Sequence, residues 1–229
     1  MVRRNILRIL IICAIAVVVV LYIYDISGYL KEDYTQITEL ETAEIRDYNG
    51  EDLSKISDFR ENSIKGPQYI SKDGYRLEVS GLVEKPQEYT YDEILSGFQN
   101  HKKVVTLYCV EGWDVTILWE GVLVKDVIEP SGILPTANTV IFTAYDGYTT
   151  SFPIEYITER NIIMAHSINN VTLPSERGFP FMLVAEDKWG YKWIKWITKI
   201  ELSDDASYRG YWEKRGFSDS GDLNKSFFG

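Results

Sequence analysis

From Ile9 to Tyr24 the chain runs sixteen residues without a charge, almost all Ile, Val, Leu and Ala. No other feature constrains the fold so strongly, because this segment belongs in lipid and the remainder must fold as a separate body. With Asn5 to Leu7 counted and Arg8 snorkelling to the interface, about twenty residues are available, the length a spanning helix needs. Each Ile, Leu or Val contributes roughly −0.3 to −0.6 kcal/mol to insertion, and nothing within the run opposes it. Cys13 is read as one more apolar residue of that helix. Arg3, Arg4 and Arg8 precede the run, whereas Asp25, Glu32 and Asp33 follow it with only Lys31 for balance. The positive-inside rule therefore puts the N-terminus in the cytoplasm and the rest beyond the membrane. Bulky Tyr22-Ile23-Tyr24 offers no small-x-small cleavage site, so the segment reads as an uncleaved anchor.

Arg3-Arg4-Asn5-Ile6-Leu7-Arg8 is also similar to a twin-arginine export signal, the route of proteins exported already folded. Ordinary positive-inside anchoring accounts for the same arginines, and both readings stand. Taking those three charges from the formal net charge of −10 leaves −13 beyond Tyr24. An outer part so acidic, without a basic block, is repelled by phosphate backbones and anionic headgroups, which argues against nucleic acid as a partner. The expected organisation is a signal-anchor helix over 1–30, a polar, acid-rich stalk over 31–62 and one domain over 63–229.

Within that domain Tyr75, Leu77 and Val79 alternate with Arg76, Glu78 and Ser80, the period of a half-buried strand. A short helix is expected over Tyr91 to Gly97 and another near Val122 to Glu129, stopped by Pro130 and Gly132. Thr139 to Ala144 and Tyr148 to Phe152 read as hairpin partners across Asp146-Gly147, with a weaker pair on either side of Asn169-Asn170. Phe181 to Ala185 and Trp196 to Leu202 complete the strands. Short strands mixed with short helices indicate an α+β fold with mixed or antiparallel sheets.

Cys109, the one cysteine outside the apolar run, ends the β-type run Val104 to Val110. It can be inert core filling, a reactive nucleophile or a metal ligand. His101 and His166 are not ligand-spaced, so bis-histidine haem and His-rich zinc sites are poorly supported. A serine hydrolase is also poorly supported, since no G-x-S-x-G elbow occurs. Trp189-Gly190-Tyr191-Lys192-Trp193-Ile194-Lys195-Trp196 packs aromatic rings around two lysines. One reading is an aromatic core layer with solvated lysines. The other is an anion cradle, in which Lys192, Lys195 and backbone N–H groups freed by Gly190 face a phosphate.

Cys109-Val110-Glu111-Gly112-Trp113, with Trp119-Glu120-Gly121-Val122 after it, resembles the molybdenum-ligand block of the sulfite-oxidase-type molybdopterin oxidoreductases. Tyr75 to Val83 followed by Pro86 is similar to the family's first strand. Asp146 to Pro153, Gly178-Phe179-Pro180 and Gly190 to Trp196 match later blocks in order. The resemblance runs from about Lys65 to Leu202. It implies a sulfite-oxidase-type molybdopterin-binding fold of mixed β-sheets and short helices, here preceded by one transmembrane helix. It further implies a molybdenum–molybdopterin cofactor with one pterin, whose metal takes the Cys109 thiolate, a soft ligand suited to it.

The same resemblance places the cofactor on Gly190, Tyr191, Lys192, Trp193, Ile194 and Lys195, with Lys195 as phosphate ligand and Ser151 within the Asp146 to Pro153 block. Where the family has an arginine two residues after the Gly-x-Pro block this chain has Met182, and Arg177 is the cation expected in its stead. Asn62 is expected to meet the cofactor from the N-terminal side. The implied activity is oxygen-atom transfer on a small S- or N-oxide or sulfite-like substrate outside the cytoplasm. Arginines are scarce beyond the anchor, which favours a neutral oxide and the periplasmic methionine-sulfoxide-reductase branch over sulfite. With no C-x-x-C-H for haem, electrons are expected from a separate membrane cytochrome or quinone-linked carrier. The alternative is a membrane-anchored binding module that keeps the fold without metal or catalysis.

Overall fold

The computed structural model describes residues 44–229 and, before them, Val19 alone. The expected membrane helix, the paired arginines, Cys13 and the stalk up to residue 43 therefore lie outside the described residues. Among the described residues no helix is long and apolar enough to cross a membrane.

Ile45 to Gly229 form one compact unit. Its strands are β1 (Asp47–Tyr48), β2 (Glu51–Asp52), β3 (Leu77–Gly81), β4 (Gln87–Tyr89), β5 (Asn100–Tyr108) and β6 (Asp114–Leu123), then β7 (Thr139–Ala144), β8 (Thr149–Pro153), β9 (Ile163–Ile168), β10 (Val171–Thr172), β11 (Met182–Val184) and β12 (Ile197–Ser203). One five-stranded sheet runs β10-β9-β6-β5 with β11 also on β9, and the other runs β4-β3-β12-β7-β8. The second sheet is mixed, because β12 pairs parallel with β3 and antiparallel with β7. The alternation read from sequence holds: Leu77 and Val79 are fully buried while Glu78 is exposed, and Ile200 and Leu202 fill the same core from β12. Asn169 and Asn170 both take left-handed backbone (φ 45° and 69°), as a two-residue hairpin between β9 and β10 requires.

Two expectations change. The helix foreseen from Val122 begins only at Val124, because Val122 and Leu123 are still held in β6 by pairing with Met164 and Ile163 of β9. The second half of the foreseen stalk is no stalk. Leu53 and Phe59 are buried, the Ile45 N–H donates to Asn169 O at 3.1 Å, and Ser54 Oγ accepts the Thr116 N–H at 3.0 Å. Residues 45–62 thus wrap the domain, their few apolar residues plugging it at wide spacing rather than in a periodic stripe.

Candidate active site

β5 and β6 form a long hairpin, and Cys109 sits one residue past the end of β5 in its loop. The loop is fixed by backbone bonds: the Cys109 N–H donates to Trp113 O at 2.9 Å, and the Gly112 N–H donates to Cys109 O at 3.0 Å. Asn62 Nδ2 lies 3.6 Å from Sγ, bringing the wrapping N-terminal segment to the thiol. Burial pushes the Cys109 thiol up, and the Glu111 carboxylate adds to this, against the Glu111 backbone N–H, the Asn62 amide and Arg60.

The lysine-aromatic segment reaches the same place through Gly190. A Cβ there would lie 3.1 Å from Tyr108 O and 3.4 Å from Cys109 Cα, a tight fit, so glycine lets the turn Gly190–Lys192 close on the end of β5 without displacing it. The two segments border one cleft of about 450 Å³, whose walls include Cys109, Tyr191, Trp193, Ile194 and Lys195. Trp193 is fixed by its indole N–H on Lys188 O at 2.9 Å, with its ring 5.4 Å from that of Trp119. Trp196 also borders the cleft and holds a left-handed backbone (φ 54°), a strained state for so bulky a residue. Its indole N–H on Ser175 O at 2.7 Å holds it there.

The two lysines separate. Lys195 lies on the cleft wall, its Nζ 3.0 Å from Glu61 Oε1 and 3.4 Å from Glu176 O. Burial lowers the Lys195 ammonium, with Glu61 pulling the other way. Glu61 itself is held below the usual carboxylate range, against its burial, by Ser63, Lys195 and Arg177.

Lys192 departs from the expectation of a phosphate-facing cation. It is fully buried away from the cleft, and its three protons go to Ser151 O (2.8 Å), Glu213 Oε1 (2.7 Å) and Asp219 O (3.1 Å). Ser151 is displaced with it: the hydroxyl donates to Tyr208 O, its carbonyl receives Lys192, and neither atom borders the cleft. Arg177 stands behind the wall, its guanidinium 5.3 Å above the ring of Phe59, while Met182 borders the cleft directly.

Sequence reasoning missed Arg60, which lines the cleft, and Glu61, which holds Lys195, both hidden in the supposed stalk, and Trp212 and Phe217, which reach the cleft from the C-terminal tail. Glu111 and Asp146 belong to the recognised motifs without an assigned role and also line the cleft. The aromatic density of the tail, Tyr208 to Glu213 above all, does point to a segment that packs back on the domain, as it does, but not to its place at the cleft.

A profile of the oxidoreductase molybdopterin binding domain family matches residues 64–212. The chain belongs to that family. This molybdopterin-binding oxidoreductase is 29% identical over 157 residues to the uncharacterized oxidoreductase YuiH of Bacillus subtilis, covering 68% of this chain and 78% of that one. It is 34% identical over 150 residues to a putative protein-methionine-sulfoxide reductase subunit, YedZ1, of Azospira oryzae (65% and 56%). It is 27% identical over 173 residues to the protein-methionine-sulfoxide reductase catalytic subunit MsrP of Xanthomonas campestris pv. campestris (66% and 54%). The chain therefore spans about half the length of the two named as sulfoxide reductases. The sulfane dehydrogenase SoxCD from Paracoccus pantotrophus shares the fold, with a TM-score of 0.62 at 23% identity over 70% of this chain and 44% of that one.

The residues of the oxidoreductase fit a molybdopterin. A soft thiol stands on the cleft wall, and the cation Lys195 borders the same space. Among the described residues, the buried Nε1 of Trp113, a residue of the cleft wall, has no hydrogen-bond partner in the protein, which leaves one N–H donor there for a bound group.

Proposed function

We propose that this oxidoreductase is anchored in the cytoplasmic membrane by its N-terminal helix, works on the outer side, and uses molybdenum to remove oxygen from small neutral S- or N-oxides. The character of the cleft carries this reading. Its walls are largely aromatic, with Phe59, Trp113, Tyr148, Trp193, Trp212 and Phe217 among them. The cations Arg60 and Lys195 are matched by Glu111 and Asp146, and Lys195 is already engaged by Glu61. An oxyanion such as sulfite calls for surplus positive charge, whereas a sulfoxide does not. The relatives named as methionine-sulfoxide reductases support the same class.

When bound, the molybdenum centre supplies the two-electron oxo exchange, in which a sulfoxide, two protons and two electrons give the thioether and one water. In this proposal Cys109 gives its thiolate to the metal, and the Asn62 amide steadies that sulfur. Lys195, which meets Glu61 in this structure, would hold the pterin phosphate. The aromatic walls exclude water, and Glu111 and Asp146 are the carboxylates positioned to hand on the two protons. Electrons come from a separate carrier at the membrane.

The test uses the molybdenum-loaded full chain, with oxidation of a reduced viologen dye by methionine sulfoxide compared with reduction of ferricyanide by sulfite. The first reaction is expected to dominate. Faster sulfite oxidation would overturn the substrate reading. Molybdenum far below one atom per chain, with no Mo(V) signal on partial reduction, would favour the metal-free binding module.

A further inference from the structure

The family match ends at Trp212, yet the chain beyond it is bound to the domain at many points. Lys192 places two of its three hydrogen bonds on tail residues Glu213 and Asp219, and the fully buried Glu213 also accepts the Thr150 hydroxyl at 2.9 Å. The Trp189 N–H donates to Gly221 O at 2.8 Å, the Tyr191 hydroxyl to Ser218 O at 2.7 Å and the Leu223 N–H to Asp187 O at 2.9 Å. Lys188 pairs with Asp222. Every one of these bonds lands on Thr150 or on Asp187 to Lys192, the stretch whose Gly190 abuts Cys109.

The tail is thereby held against the stretch that abuts the thiol, and it places rings on the cleft wall. Phe217 packs edge-on to Tyr191 at 5.0 Å and against Trp212 at 5.0 Å, backed by Phe227 and Phe228 at 6.1 and 5.4 Å. Phe217, Trp212 and Tyr191 all border the cleft that holds Cys109. Tyr148, on the same wall, donates its hydroxyl to Tyr191 O and packs against Tyr211, which neighbours Trp212. The aromatic side of the cleft is thus completed by Trp212 and Phe217 of the tail, while Arg60 and Lys195, the latter held by Glu61, bring charge to its wall.

We propose that the C-terminal tail builds the substrate-selecting wall of this enzyme, with Phe217 and Trp212 as the residues that contact the organic substituent of the oxide. The substrate class rests on the reductase reading above. Bulky apolar substituents, aryl or thioether, gain contact with the two rings, whereas a methyl group is too small to use them. Selection of this kind acts through binding and appears chiefly in KM.

The experiment compares molybdenum-loaded full chains of wild type, Phe217→Ala and Phe217→Leu. It measures kcat/KM for methyl phenyl sulfoxide and dimethyl sulfoxide, the Kd of methyl phenyl sulfone by calorimetry, and molybdenum content. In Phe217→Ala the ratio of aryl to dimethyl kcat/KM is expected to fall roughly tenfold, the scale of one lost contact in an apolar pocket. The change should lie in KM, the sulfone Kd should rise by a similar factor, and molybdenum should stay near one per chain. Phe217→Leu, which keeps most of the volume, should fall between the two. An unchanged ratio, with both substrates losing equally or neither losing, would overturn the wall, as would an unchanged sulfone Kd. A wild type that reduces neither sulfoxide, but binds the sulfone in a manner Phe217→Ala weakens, would sink the reductase reading and support the wall.

Discussion

Lys192 and Lys195 stand three residues apart in the same aromatic run, and composition and spacing offer no reason to treat them differently, although the family resemblance singles out Lys195 as the phosphate ligand. The turn Gly190–Lys192 sends them to opposite sides. Lys195 borders the cleft beside Glu61, whereas Lys192 enters the interior and meets Glu213, a residue remote in sequence. Both side chains of the buried pair are 1% exposed, so each ion depends on the other. Lys192→Met leaves the Glu213 charge buried and unpaired, and urea unfolding is expected to show a loss of about 3–5 kcal/mol. The double variant Lys192→Met/Glu213→Leu, which removes both charges, should recover a substantial part of it. Cys109 could be singled out from sequence, because a lone thiol ending a β-type run is recognisable there, and the structure sets it on the cleft wall. Its neighbour Asn62 carries an amide 3.6 Å from the sulfur. In the reading of Cys109 as metal ligand, Asn62→Ala should lower metal retention or turnover by roughly 10–100-fold, as checked by molybdenum content after dialysis and by dye oxidation.

At the scale of elements, strands with period two and the Asn169-Asn170 hairpin were legible because their signals are local. Segments held only by distant partners were not. Residues 45–62 carry two plugs, Leu53 and Phe59, too widely spaced to read as a strand or helix, and the tail beyond Leu202 shows aromatic density without a period. Gly121 marks another element-level demand. It lies at the register shift where β6 meets β9, and a Cβ there would stand 2.1 Å from Met164 O and 2.6 Å from Ala165 Cα, both backbone atoms. Gly121→Ala is expected to destabilise the domain by about 3 kcal/mol or more, since neither strand can yield without breaking the ladder, and thermal unfolding would show it.

The tail responds to acid through Asp222. Burial works against this carboxylate's charge, but hydrogen bonds from Lys188 and Lys225 outweigh it and hold Asp222 well below the usual carboxylate range. A depressed carboxylate contributes stability that is present above its unfolded pKa of roughly 4 and is lost as pH falls toward the folded value. The wild-type urea midpoint should therefore drop between pH 6 and pH 3. Asp222→Asn should start lower at pH 6 and drop less.

The whole molecule joins an N-terminal apolar run to a compact unit that begins at Ile45. Its motifs were readable because they occur in order along the family match, and the match stops where the wrapping ends begin, at residues 64 and 212. What lies outside that match, Asn62 on one side and Phe217 on the other, meets at the cleft. The cleft is consequently finished by segments that only the folded chain brings together. If the apolar run anchors the protein, the acidic body beyond it is repelled by anionic headgroups and is held at the membrane by the run alone. The full chain should then sediment with membranes and resist extraction with alkaline carbonate, which strips proteins held by charge but not by a spanning helix. Deletion of residues 1–30 should release the body into the soluble fraction with its molybdenum content intact, because among the described residues none that lines the cleft precedes Phe59. A full chain recovered in the supernatant without detergent, or a deleted chain still on the membrane, would show that the run is not what holds it there.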